Sequence, residues 1–201
     1  MSNKLVWTLI DPEFHKLPHI SRNDIIYYHF EYYTSKDFVD HPNNSIVLNF
    51  KKDIKHRNSN HWHYKKEAIN YFASLLVNTP FGNDRLLLAA PTSKRRDSED
   101  FDSRNDEVLK IVNEVSEIPV SFNLETVKDI IPAHFQDGFR KPENYSHLYS
   151  FTPFEKIPEI VYIVDDVITS GSHFVVWRNL IKQFHPTVEV RGFFLARAVN
   201  I

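Results

Sequence analysis

Apolar residues recur along this chain in two rhythms, and their alternation outlines a fold. Ile25–Tyr33 is β-branched and aromatic and predicts a short strand; Ser45–Phe50 reads as a second one. Tyr64–Val77 places Ile69, Phe72, Ala73 and Leu76 at helical spacing, with Lys65, Lys66 and Glu67 assigned to the solvated side. Thr79, Pro80, Gly82 and Asn83 end that helix. Arg85–Ala90 then runs continuously apolar, the pattern of a strand buried on both faces. A polar stretch, Pro91–Ser103, leads into a helix through Val108, Ile111, Val112 and Val115, and Pro119–Phe122 reads as a short strand.

The C-terminal third repeats the alternation. Ala133–Tyr149 is polar and irregular, with Gly138 and Pro142, and reads as a long loop, a class usually functional or disordered. Ile160–Val164 predicts the clearest buried strand, Phe174–Phe184 a helix stopped before Pro186, and Val188–Ala196 a final strand. Strands alternating with helices predict an α/β fold with a mainly parallel sheet flanked by helices. Residues 1–44, broken by Pro12, Pro18 and Pro42, are expected to form a small N-terminal extension or hood on a domain spanning 45–201. In such sheets ligands gather at the carboxyl ends of strands, where the loops after Ala90 and Val164 begin.

Composition removes several alternatives. The 201 residues include no cysteine, which excludes disulfides and cysteine-based zinc sites and fits a reducing compartment. A formal charge of -2 offers no general attraction to nucleic acid or anionic membrane. Lys94, Arg95, Arg96 and Arg104 form a basic run, but Asp97, Glu99, Asp100 and Asp102 cancel most of its field, so nucleic acid is not an expected partner. Apolar runs such as Leu86–Ala90 fall far short of the ~20 residues of a membrane helix. Met1–Pro12 has no signal-peptide apolar core, and a cytoplasmic protein is expected.

The richest chemistry lies in Val161-Tyr-Ile-Val-Asp165-Asp166-Val-Ile-Thr169-Ser170-Gly171-Ser172-His173. An apolar strand ends on two carboxylates, and a hydroxyl-rich turn opens a helix. Successive strand residues face opposite ways, so Asp165 and Asp166 can address different groups. Carboxylates accept hydrogen bonds from paired hydroxyls such as those of a ribose. Backbone N–H groups at the helix start, with the hydroxyls of Thr169, Ser170 and Ser172, suit a phosphate dianion. Gly171 would permit a left-handed backbone angle and close ligand approach. The plainer reading is a strand-end carboxylate pair followed by an ordinary helix-capping turn.

This segment resembles the ribosyl-phosphate-binding motif of type I phosphoribosyltransferases: apolar strand, two acids, two apolar residues, then a Thr/Ser-Gly turn. Thr169–Ser172 is similar to the orotate phosphoribosyltransferase form, whereas the overall layout and the closing Gly192–Arg197 look more like the competence-associated ComF-like branch. The similarity spans roughly residues 45–201 and is carried mainly by 161–173. It implies that Asp165 and Asp166 hold ribose hydroxyls while Thr169, Ser170, Gly171, Ser172 and His173 surround a 5'-phosphate. Pro91, Thr92, Ser93 and Lys94 fall where the family places its pyrophosphate loop, with the Arg and Asn that follow there corresponding to Arg104 and Asn105. The 133–149 stretch takes the place of the mobile lid, with Arg140 and Lys141 as its cations. The chain departs from the pattern in three ways: His173 replaces a common hydroxyl residue, the cysteine-rich opening element is missing, and residues 1–44 match no familiar segment.

The resemblance implies binding of 5-phosphoribosyl 1-pyrophosphate (PRPP) with magnesium. Its phosphoribosyl group would pass to an unidentified nitrogen acceptor, releasing pyrophosphate. Asp165, Asp166, Arg140 and Lys141 are then the catalytic candidates, and Lys94, Arg95 and Arg96 could neutralise the leaving group. His173 and His134 are candidate bases, each also readable as an ordinary surface or cap histidine. His61 and His63 would share one strand face, but no third metal ligand is evident. The alternative is a non-catalytic sensor of the sugar pyrophosphate that regulates a partner in a bacterial stress, DNA-uptake or defence system. Trp7, Tyr27, Tyr28, Phe30, Tyr32 and Tyr33 would serve either as a surface for a second copy or protein partner, or as core.

Overall fold

The computed structural model describes residues 7–35, 41–130 and 141–199. Its centre is a six-stranded sheet built from β1 (Thr8–Leu9), β2 (Ile25–Tyr33), β3 (Arg85–Ala89), β4 (Val120–Ser121), β7 (Ile160–Ile168) and β8 (Glu189–Val199). The order is β1-β2-β8-β7-β3-β4, and only β1 runs antiparallel to its neighbour. A separate antiparallel pair joins β5 (Leu124–Thr126) to β6 (Tyr149–Phe151). The chain is therefore α/β, with a mainly parallel sheet flanked by helices.

Strand alternation feeds two cores. Leu87, Ala89, Tyr162, Val164, Phe193 and Leu195 face one side, with Phe50 of α1 (Pro42–Phe50), Phe72 and Leu76 of α2 (His63–Val77), and Leu109 and Val112 of α3 (Arg104–Ser116). Leu88, Val161, Ile163 and Phe194 face the other, against Phe174, Trp177 and Ile181 of α4 (Ser172–Phe184). Both faces are covered, as the continuous apolar strands require.

Ser45–Phe50 is not a strand but the body of α1. Pro42 occupies the first turn, His41 Nδ1 accepts from Asn43 N, and buried Asn44, Val47 and Phe50 recur every third residue. Six residues cannot separate a strand from a helix by apolarity, and the start signal lay just upstream. Lys65 is not on the wet side of α2 either: its side chain is 2% exposed, and Nζ donates to the carbonyls of Phe50 (2.9 Å) and Lys52 (2.9 Å) and to Asp102 Oδ2 (2.8 Å). Lys66 and Glu67 are exposed as expected.

Within residues 1–44, β2 pairs in parallel with β8 over nearly its whole length and so belongs to the main sheet. Tyr28 is buried, and Trp7, Tyr27 and Phe30 pack on the core, whereas Tyr32 and Tyr33 stay half-exposed. The preceding stretch crosses the carboxyl end of the sheet. Leu17 and Ile20 are buried there, and Asp24 pairs with Arg178 of α4. In the expected 133–149 loop, residues 142–148 form two short 3-10 turns and Tyr149 begins β6; residues 131–140 lie outside the described residues.

Candidate functional site

β3 ends opposite Val164, while β7 continues four residues further along β8 to Ile168. Asp165 and Asp166 thus lie inside a strand rather than at its tip, beside the place where β3 gives way to the Ala90–Ser103 stretch. Ala90 N still donates to Val164 O at 2.9 Å, which brings the two loops of interest side by side.

Alternation separates the two acids. Asp166 is buried toward α1 and α3 and is saturated with donors. Arg104 Nε (3.0 Å) and Nη2 (2.7 Å) share its Oδ2, Val167 N donates to Oδ1 at 2.6 Å, and Lys51 Nζ lies 3.6 Å from Oδ1. Arg104 also donates to Asp102 Oδ2 at 2.8 Å, the atom that Lys65 reaches from the other side. A chain of alternating charge therefore runs from buried Lys65 through Asp102, Arg104 and Asp166 to Lys51, which is exposed. Burial alone would raise the Asp166 pKa, but Lys51 and Arg104 outweigh it and hold the carboxyl below its ordinary range. Burial likewise opposes the Arg104 charge, and Asp166 and Asp102 more than restore it.

Asp165 turns the other way, into a small, partly open cleft that it lines with Thr169, Gly171, Ser172, His173 and Trp177. Its Oδ1 accepts from Asn105 Nδ2 at 3.0 Å, and among the described residues no cation bonds it directly. Burial, followed by the adjacent Asp166 charge, pushes the Asp165 carboxyl upward against the weaker pull of the Asp166 backbone N–H, Arg104 and Asn105.

The turn opens α4 as anticipated. Gly171 caps the helix at φ 83°, an angle glycine takes readily. Ser170 Oγ and Ser172 Oγ lie 2.8 Å apart, and Thr169 is exposed at the cleft. The open side of Gly171 is filled by the protein itself: a Cβ there would overlap Ile20 Cδ1 and Cγ1. Gly171 therefore admits the N-terminal stretch. His173 bonds Tyr149 Oη through Nδ1 at 2.6 Å and packs among Tyr145, Tyr149 and Trp177.

A second, narrower cleft lies on the β3 side, lined by Pro91, Thr92, Lys94, Arg96, Asn105 and Thr126 among others. Thr92 Oγ1 and Asn105 Oδ1 are buried there without a hydrogen-bond partner among the described residues. The cations of the loop are already matched: Lys94 with Asp129, Arg95 with Asp97, and Arg96 with Asp106 and Glu125. Ser93 accepts from Ile130 N through its carbonyl. Asn105, only 1% exposed, bridges the clefts by donating to both Ala90 O (2.9 Å) and Asp165 Oδ1 (3.0 Å).

The structure thus brings Pro91, Thr92, Lys94, Arg104, Asp165, Asp166 and residues 169–173 to one end of the sheet. Lys141 is exposed and lines neither cleft. Arg140 and His134 lie outside the described residues. His61 and His63 do not share a strand face: His63 begins α2 and bonds Asn60 O, while His61 stacks on Tyr64. Lys51, Lys65 and Asp102 were not anticipated at the site. Lys65 was findable, because residues 65, 68, 69, 72 and 76 form one helical face; the roles of Lys51 and Asp102 depend on contacts remote in sequence. No family model matches the chain, and no curated protein matches it.

Proposed function

We propose that this chain binds 5-phosphoribosyl 1-pyrophosphate and transfers its phosphoribosyl group to a nitrogen acceptor, releasing pyrophosphate. The observation that carries the reading is the junction at Asn105. One buried amide joins the loop after β3 to the carboxylate on β7, so a ligand spanning the two clefts would meet both loops in fixed register. The ribose hydroxyls would face Asp165, and the 5'-phosphate would sit at the Thr169–His173 turn, where hydroxyls and a helix start converge. The pyrophosphate would occupy the Thr92–Lys94 side.

Among the described residues no group of three or more His, Asp or Glu side chains could cage a metal ion. Magnesium enters this reading as part of the substrate, carried on pyrophosphate oxygens, which suit a hard cation. Asp166 and Arg104 serve as the rigid support beside Asp165.

The test is calorimetric titration with PRPP and magnesium, alongside pyrophosphate release with a panel of bases. Binding is expected in the wild type and should weaken at least about tenfold in Thr169→Val, which removes one charge-assisted hydrogen bond. No binding at millimolar ligand would overturn the reading. A second reading, a sensor without turnover, is favoured by one observation: Lys94, Arg95 and Arg96 each already pair with a nearby carboxylate. Binding without pyrophosphate release on any base would select it.

A further inference from the structure

Proton chemistry is where the two acids differ most. Asp166 has two donors on Oδ2, one on Oδ1 and Lys51 beside it, so its charge is fully engaged. Asp165, one residue away, has an amide on Oδ1 and no direct ion pair among the described residues. Of the two, Asp165 alone lines the cleft.

We infer that Asp165 is the proton-exchanging group of this cleft and that Asn105 is its positioning residue. The inference rests on the phosphoribosyl-transfer reading for its substrate class: an acceptor whose reacting nitrogen still carries a hydrogen at neutral pH, such as an amine, amide or imide. In the step, the nitrogen lone pair forms a bond to C1 of the sugar. The C1–oxygen bond to pyrophosphate breaks, its electron pair leaves with pyrophosphate, and the nitrogen's proton passes to the Asp165 carboxylate.

The surroundings support this assignment. Among the described residues, the charged or titratable groups near Asp165 are Asp166 on its own strand, Arg104 and Asp102 at the start of α3, Lys51 at the end of α1 and His173 on α4. β8 sets apolar Phe194 beside it, with Arg197 further along against Ile168, and β3 ends in uncharged Ala89, followed by Ala90. Arg104 and Lys51 are spent on Asp166. A second carboxylate in the same low-dielectric site is therefore the one that retains a proton. Burial and the neighbouring charge move Asp165 toward the range in which a general base works near neutral pH. Asn105, anchored on Ala90 O, donates to Oδ1 and sets the plane of the carboxyl.

The experiment is a carbon-13 titration of the full chain labelled at aspartate, without ligand, in wild type, Asp165→Asn and Asn105→Ala. One resonance, absent from Asp165→Asn, should titrate well above the exposed aspartates, and in Asn105→Ala its midpoint should rise further, by up to about tenfold in proton affinity. Pyrophosphate release should then show an acid limb at that midpoint, moving with it in Asn105→Ala. Asp165→Asn keeps one oxygen that can accept from the ribose hydroxyls but cannot take a proton, so kcat should fall by about 10²–10⁴ with a smaller rise in the KM for PRPP. An Asp165 resonance titrating with the exposed aspartates overturns the inference, and so does an acid limb that ignores a shifted midpoint. If Asn105→Ala does not fold, the wild-type titration alone still decides. Failure of the wild type to bind PRPP would remove the phosphoribosyl reading and the acceptor class, while the titration would still judge Asp165.

Discussion

The two faces of the sheet receive neighbouring carboxylates and treat them in opposite ways. On the α1–α3 face, Asp166 enters an ionic chain with Lys51, Arg104, Asp102 and Lys65, in which each carboxylate has two cations beside it. On the α4 face, Asp165 meets a cleft, a single amide and an aromatic group around His173. The Asp166 side is spent on holding structure. The Asp165 side keeps a carboxylate in reserve, which is what binding or proton transfer needs. A pair of identical residues at adjacent positions thus divides into an ion-paired carboxylate and a cleft-facing one because a strand points them apart.

The largest effect expected from breaking this comparison comes from Arg104→Ala. It leaves buried Asp166 with only the more distant Lys51 and takes one of two cations from Asp102, and removing one member of a buried pair costs about 3–5 kcal/mol. Chemical denaturation should show that loss, and it should shrink as the pH falls and Asp166 becomes neutral. Gly171→Ala comes next: a left-handed angle and overlap with Ile20 should together cost about 2–3 kcal/mol. In an Ile20→Ala background the added penalty should fall to about 1 kcal/mol, the part owed to the backbone; an unchanged penalty would show that Ile20 is not the obstacle.

The pH dependence of stability sharpens the contrast. The folded-state pKa of Asp165 is raised from 3.8, so its contribution to stability is present below that value and is lost as pH rises toward neutrality. Asp166 is lowered from 3.8, so its contribution is present above that value and is lost as pH falls further. Thermal melts across this range should therefore show Asp165→Asn removing the loss on the rising side only. The smallest effect belongs to Lys94→Ala. Its pair with Asp129 is exposed on both sides, at 36% and 44%, so stability should change by no more than about 1 kcal/mol and less at high salt.

Much of the fold was legible. The runs at Arg85–Ala90 and Ile160–Val164 are strands buried on both faces, and the helices following Pro91–Ser103 and Gly171 lie where the periodicity put them. The failures share a cause: Ser45–Phe50 and Lys65 were judged from local chemistry, and tertiary contacts decided them. A lysine reads as solvated until the carbonyls at the end of α1 and Asp102 arrive to satisfy its three hydrogens.

At the site, sequence by itself determined that two adjacent acids precede a hydroxyl-rich, glycine-containing turn at a helix start, because those properties are local to thirteen residues. Tertiary structure decided which acid is bound and which is available. Arg104 lies 62 positions from Asp166, and Asn105 lies 60 from Asp165. It also decided that Ile20, far upstream, fills the space beside Gly171. Charge pairing and close packing depend on which distant segments meet, and only the closed sheet brings those segments together.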